Sequence, residues 1–189
     1  YRTHDNLVGA AGCELLRGEA FLDRGETSQA MEAFSDARVI FDATGRDLEA
    51  LRCETRLAIT LHYAGEYLAA ARANRRLVAA YRQFEDEKDN EQGSVVRLLD
   101  NLREAGQYQD CLKAAEDHMD AWPEGSTAED PSYREYLGLY AFALEQCGQP
   151  ELATAMANHV IANTPAREAG LGTAYCYEVR GNSRLHSDE

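Results

Sequence analysis

The residues best able to do chemistry in this sequence are its arginines, histidines, cysteines and tyrosines, and their spacing favours recognition over catalysis. His4, His62, His118, His159 and His186 are isolated, with no Cys, Asp or Glu at metal-ligand spacing. Cys111 and His118 lie seven residues apart, which suits packing better than a ligand pair. Cys13, Cys53, Cys111, Cys147 and Cys176 are odd in number, widely separated and without a C-x-x-C. Each falls on the apolar face of a helical pattern, as free thiols do in a reducing cytosol, so a cytoplasmic location is expected. No glycine-rich phosphate loop and no G-x-S-x-G occurs, and the carboxylates are spread along helix surfaces. The expectation is therefore a protein that is not an enzyme, with no metal and no cofactor. Arg52, Arg56, Arg97 and Arg103 could each hold a carboxylate through charge-assisted, sometimes bidentate bonds. They could equally pair along their own helices with Glu49, Glu54, Asp100 or Glu104, and both readings stand.

Composition narrows the field further. The chain has 189 residues, 33 acidic against 19 basic, for a net charge of -14. Such acidity argues against broad contact with phosphate backbones or anionic membranes, both of which need basic surface. Arg72, Arg75, Arg76 and Arg82 do cluster, but beside Glu85, Asp86 and Glu87 and with only Tyr81 as an interleaved aromatic, so no nucleic-acid partner is expected. No apolar run reaches the roughly 20 residues of a membrane helix, and no secretory signal is visible. The first residue is Tyr1, and the sequence reads as a piece of a longer protein.

The elements that must carry these residues are helices. After a polar start over residues 1–5, a helical pattern runs from about Asn6 to Arg24 with Leu7, Leu15, Leu16, Phe21 and Leu22 at helical spacing. Gly25 can close it in the left-handed conformation, and Thr27 or Ser28 can open the next helix. Asp47 is a candidate cap for a helix to Ala64. Gly65 turns into a return helix with Tyr67, Ala70, Leu77, Val78, Tyr81 and Phe84. The charged stretch 85–92 reads as an exposed helix end and loop. A third pair follows, Gly93 to Ala105, then Tyr108 to Trp122. WPEGSTAEDPS, residues 122–132, is turn-rich, and a fourth pair hinges at Gly148 and closes at Pro165.

The hinge glycines Gly25, Gly65, Gly106, Gly148 and Gly181 are separated by 40, 41, 42 and 33 residues. Around each lies a recurring pattern. A small or apolar residue stands seven before (Gly18, Ala58, Leu99, Ala141, Ala174) and a large apolar one four before (Phe21, Leu61, Leu102, Leu144, Tyr177). A small residue stands five after (Ala30, Ala70, Cys111, Ala153). A period in this window marks stacked helical hairpins, none of which can bury its apolar face alone.

With LLRGEAFLDRGETSQAMEAFSDA, AYCYEVRGN, Tyr67 and Tyr108 in place, the sequence resembles the tetratricopeptide repeat (TPR) family over about residues 8–181. The units, near 40 residues against the usual 34 or so, are similar to the lengthened repeats of bacterial signal-sensing regulators and scaffold proteins. Asn74, His118 and Pro150 depart from the family pattern. The resemblance implies an all-α, right-handed superhelix of stacked antiparallel hairpins, about 4.5 repeats. It would form one array over 1–189, with units near 6–45, 46–89, 90–125, 131–165 and an incomplete 166–189. It implies too that the first helix of each unit lines a concave ligand groove. In-phase transfer puts Leu15, Glu19, Leu22 and Asp23 there from unit one. Arg52, Thr55, Arg56, Ile59, His62 and Tyr63 come from unit two, and Val96, Arg97, Asp100, Arg103 and Glu104 from unit three. Glu135, Phe142, Glu145 and Gln146 follow from unit four, then Leu171, Tyr175 and Glu178 from unit five. Tyr63, Tyr136, Tyr140 and Tyr175 could supply rigid contact area, although Tyr136 and Tyr140 read rather as packing between repeats. The family's carboxylate clamp for chaperone tails needs lysine and asparagine where this chain has Leu15 and Glu19, and only Arg97 matches a basic clamp position, so that activity is not expected.

The expected function is a protein- or peptide-binding module, the sensing or scaffolding part of a larger regulator, with a partner segment that is acidic if the arginines receive it. The alternative is a self-associating array that forms homodimers through its uncapped end, where Leu171, Tyr175 and Tyr177 would be uncovered.

Overall fold

The computed structural model describes residues 2–165 and 170–187, with side chains described for 6–165 and 170–182. The expected start of a fifth unit at residue 166 lies outside them. The described residues form helices and turns without strands: α1 (Arg2–Asp23), α2 (Thr27–Ala43), α3 (Asp47–Tyr63), α4 (Tyr67–Tyr81), α5 (Lys88–Glu104), α6 (Tyr108–Asp117), α7 (Pro131–Gln146), α8 (Pro150–Ala162) and α9 (Leu171–Ser187). Short 3-10 turns precede α5 at Glu85–Glu87 and follow α6 at Met119–Ala121. The chain divides into two compact units, residues 1–84 and 85–189.

One turn recurs. At Gly25 the backbone is left-handed (φ 73°), the Gly25 amide donates to the Leu22 carbonyl at 2.9 Å, and the Glu26 amide donates to the Phe21 carbonyl at 2.9 Å. These crossed bonds satisfy carbonyls that a helix end otherwise leaves open. The same pair of bonds closes the helices at Gly45, Gly65, Gly106 and Gly148. The large residue four before each glycine supplies the outermost carbonyl: Phe21, Phe41, Leu61, Leu102 and Leu144. The residue after each glycine begins the next helix by accepting from the amide four further on, which belongs to Ala30, Ala50, Ala70, Cys111 or Ala153. All five are buried. Because the main chain does this work, the expected side-chain caps do not form. The residue before α2 is Glu26 and the residue before α3 is Arg46, neither with a capping side chain, while Thr27 and Asp47 are already helical. Asp130, before α7, is the contrasting case, its carboxylate accepting from the Ser132 and Tyr133 amides.

In the first unit each helix packs on the next, α1 on α2, α2 on α3 and α3 on α4. Ala11, Ala37, Phe41, Ala50 and Cys53 form one core cluster, flanked by Val8, Leu15 and Ile40. Ala58, Leu77 and Tyr81 form another with Leu48, Leu51 and Ala73 beside them. Phe34 is fully buried and packs against Gly18, where an added Cβ would sit 2.6 Å from its ring. Asn74 needs no apolar replacement, since its amide nitrogen donates to the Ala70 carbonyl at 3.0 Å. Leu7 and Leu16, although at helical spacing with the apolar residues, are exposed, as is Val39.

The second unit is less regular. The stretch expected as an exposed loop contains Glu91 and Gln92, both buried in α5; Glu91 is held by the Lys88 ammonium at 2.9 Å and Gln92 donates to the Ala121 carbonyl. The return helix α6 stops at Asp117, short of the expected Trp122, and Met119 is exposed. Trp122 packs on Tyr136 with ring centroids 4.4 Å apart, and its indole N–H donates to Ser132 Oγ. Tyr136 is fully buried and donates to the Ala115 carbonyl at 2.8 Å, so it does pack between helices of successive hairpins. Where α7 meets α9 the contact is glycine on glycine. A Cβ at Gly138 would lie 2.3 Å from the Gly172 carbonyl oxygen, and one at Gly172 would lie 2.5 Å from the Arg134 carbonyl oxygen. Gly181 is not a hinge: α9 runs through it to Ser187, and its φ is not positive.

Candidate functional site

The side chains assigned to the groove all sit on α1, α3, α5 and α7, the first helices of their hairpins, and on α9. On α3 of the first unit, Arg52 and Arg56 are exposed one helical turn apart. Arg56 is bonded to Glu19 of α1 at 2.9 Å, so it carries a counter-ion on the same face. His62 makes edge contacts with Tyr63 and Tyr67, and Tyr63 is 69% exposed at the end of the helix. A tyrosine left this open is an apolar plate with a hydroxyl at its rim, suited to contact with a partner.

The second unit gathers more of the expected residues. Asp100 and Arg103 of α5 share two hydrogen bonds, at 2.8 and 3.2 Å, and Arg103 also bonds Glu104. From α9, Tyr175 donates to the same Asp100 oxygen at 3.3 Å, and the Arg103 guanidinium lies 4.9 Å over its ring. From α7, Phe142 comes within 6.2 Å of Tyr175 and 6.0 Å of Tyr108 between ring centroids. Phe142, Tyr175, Arg103 and Asp100 thus form one interlocked patch across three helices.

Its electrostatics follow from burial and neighbours. Burial opposes the Arg103 charge, but the hydrogen bond to Asp100 and the nearby Tyr175, Asp100 and Glu104 outweigh it and hold the guanidinium cationic beyond its ordinary range. Burial, then Asp100, pushes the Tyr175 hydroxyl up to about 12. Burial and the Asp100 charge also raise the Glu135 carboxyl, against the pull of Arg97.

Arg97 folds back over its own helix, its guanidinium 3.3 Å from Ser94 Oγ and 3.2 Å from where a Gly93 Cβ would be. Val96, expected to line the groove, is buried in the core. Tyr108, which edges the patch, was not assigned to it from the sequence. Its place two residues after the Gly106 hinge marked it only as part of the repeat.

The cysteines divide. Cys53, Cys111 and Cys176 are buried, whereas Cys13 is exposed, contrary to the expectation for all five. Burial, helped by Asp42, pushes the Cys53 thiol up to about 11, and burial with Cys147 pushes Cys111 up to about 12, which keeps both unreactive. Among the described residues no group of three or more His, Cys, Asp or Glu is placed to hold a metal ion.

The architecture has close counterparts among solved structures. A crystal structure of nearly identical TPR-like repeats, a kinesin light chain from Podosopora anserina, matches with a TM-score of 0.70 at 17% identity, covering 93% of this chain and 89% of that one. A single-site variant of the same protein matches with a TM-score of 0.71 at 19% identity over the same shares. No family model and no curated protein matches the sequence. The fold is TPR-like and all-α, with helical hairpins packed on their neighbours within each unit.

Proposed function

We propose that this chain is a non-enzymatic interaction module that binds a peptide or protein segment on the face of its first helices, as the sensing or scaffolding part of a larger cytoplasmic regulator. The observation that carries this reading is the interlocked patch of Phe142, Tyr175, Arg103 and Asp100. Its side chains are already fixed by one another, so little freedom is lost when a partner settles on them. Arg52 and Arg56 favour an acidic segment on the first unit's face. On the second unit Arg103 is committed to Asp100 and Glu104, and contacts there are mainly aromatic and hydrogen-bonded.

A peptide array tests this. Capture of a defined segment, reduced at least about fivefold by Tyr175→Ala and by Arg103→Ala, supports it, in line with the cost of losing an aromatic or arginine anchor. No captured segment, or capture equal in both variants, removes it. A second reading, homodimerisation through α9, is favoured by the exposure of Leu171 (63%) and Tyr177 (50%). Light scattering that reports a monomer at every concentration excludes that one.

A further inference from the structure

The repeat marks one more surface, on the outer side of α1. Twelve residues before the turn glycines Gly65, Gly106 and Gly148 stand Cys53, Ser94 and Tyr136, all fully buried. Five before the same glycines stand Thr60, Asn101 and Ala143, buried as well. Before Gly25 these two positions are Cys13 and Ala20, and both are exposed.

Two of the buried cases show what belongs there: the second helix of the hairpin before. Cys53 and Ala50 of α3 share a core cluster with Ala37 and Phe41 of α2, and Tyr136 of α7 donates to the Ala115 carbonyl of α6. Beside the first cluster, Glu54 of α3 takes the Arg38 guanidinium of α2 at 2.7 Å. α1 carries the α3 side of this joint residue for residue, since Ala10, Cys13 and Glu14 stand 40 before Ala50, Cys53 and Glu54. Ala10 is exposed, where Ala50 is buried. Glu14 holds Arg17 of its own helix at 2.7 Å through one of its two oxygens. Leu16, 66% exposed, borders the strip. The outer face of a repeat array that ends in water is ordinarily polar. Here alanine and cysteine stand in its middle, small enough to let another helix come close.

We propose that the outer side of α1, through Ala10, Cys13 and Ala20, docks an amphipathic helix of another protein with the contact chemistry of α2. Such a helix presents an alanine, an arginine next to it for Glu14, and an aromatic residue four after the alanine. The α2 helix of a second copy does not qualify, because its own Ala37 and Phe41 are already buried. The surface uses none of the residues of the Phe142 and Tyr175 patch, so the two can succeed or fail separately.

Cys13 is an exposed thiol, whereas Cys53, Cys111 and Cys176 are buried, so alkylation at Cys13 reads this surface. The whole chain is treated with iodoacetamide, with labelling mapped to each cysteine by mass spectrometry. The probe is the capped peptide TSQAMEAFSDARVIFDATGR, the sequence of residues 27–46. The peptide should slow labelling of Cys13 saturably, by at least about fivefold when bound, and leave Cys53 unlabelled. The same peptide with Ala37→Glu should bind at least about tenfold more weakly, because it brings an unpaired charge into the contact. Ala10→Glu with Ala20→Glu, both at exposed positions, should weaken the native peptide to a similar degree with unchanged circular dichroism. Leu152→Glu, at an exposed apolar position of α8, leaves binding as it was. No protection of Cys13, equal protection by the Ala37→Glu peptide, or full affinity in the folded double variant overturns the proposal. So does labelling of Cys13 that slows with protein concentration before any peptide is added, because a second copy would then hold this face.

Discussion

The two compact units solve the same packing problem differently. Residues 1–84 use three identical turns spaced 20 residues apart, at Gly25, Gly45 and Gly65, and bury mainly alanines with a few aromatics among them. Residues 85–189 keep two such turns but insert 3-10 segments and a loop over 122–130, and bury Glu91, Gln92, Ser94, Asn101, Arg134 and Thr173. The interlocked patch belongs to this second, irregular unit. Regularity supplies a scaffold whose helices are interchangeable, and departures from it supply particular chemistry.

That contrast can be broken by substitution. The largest effect is expected in the regular unit. Phe34→Ala empties the volume over Gly18 and should cost about 3–5 kcal/mol in urea unfolding. A loss under about 1 kcal/mol would mean that the alanine-rich core collapses readily and is not a tight jigsaw. In the second unit, Gly172→Ala drives a methyl into the Arg134 carbonyl, 2.5 Å away. It should cost about 1–3 kcal/mol or more by overpacking, visible as a lower urea midpoint, because two backbones and no flexible side chain meet there. Gly45→Ala has open space around its Cβ but a φ of 67°. Its cost should be about 1–2 kcal/mol, from backbone strain alone. The smallest effect has the opposite sign. Gly181→Ala lies inside α9 with nothing within 4 Å of the new carbon, and should stabilise by about 0.5–1 kcal/mol. A destabilisation there would restore Gly181 to the hinge series.

How much of this was legible in the sequence follows the same division. The turns at Gly25, Gly65, Gly106 and Gly148 announce themselves because a left-handed residue between two apolar helical patterns is a strong local signal. Gly181 misled for the same reason: Ala174 and Tyr177 match the two positions before it, but no φ requirement is written in a glycine, and a helix tolerates one. The buried Glu91 and Gln92 were hidden within EDEKDNEQ, where charge density reads as solvated surface. Their burial depends on Lys88 and the distant Ala121 carbonyl, which periodicity does not report. Among the candidate site residues, Asp100, Arg103, Phe142 and Tyr175 do meet, since they share first-helix positions in successive hairpins. The pairing of Arg56 with Glu19, a residue of another helix, falls outside the helical neighbours that spacing can suggest.

The turn closed entirely by main-chain bonds has a further consequence. Glu26, Arg46, Glu66, Gln107 and Gln149 follow their glycines and serve the turn through their main chain, while the side chains of Glu26 and Arg46 form only exposed ion pairs with Arg24 and Glu49. Anionic, cationic and amide residues already alternate there without any change in geometry. These positions are therefore dials for surface potential: rewriting all five to lysine would remove six of the chain's fourteen net negative charges without touching the main-chain bonds that close each turn.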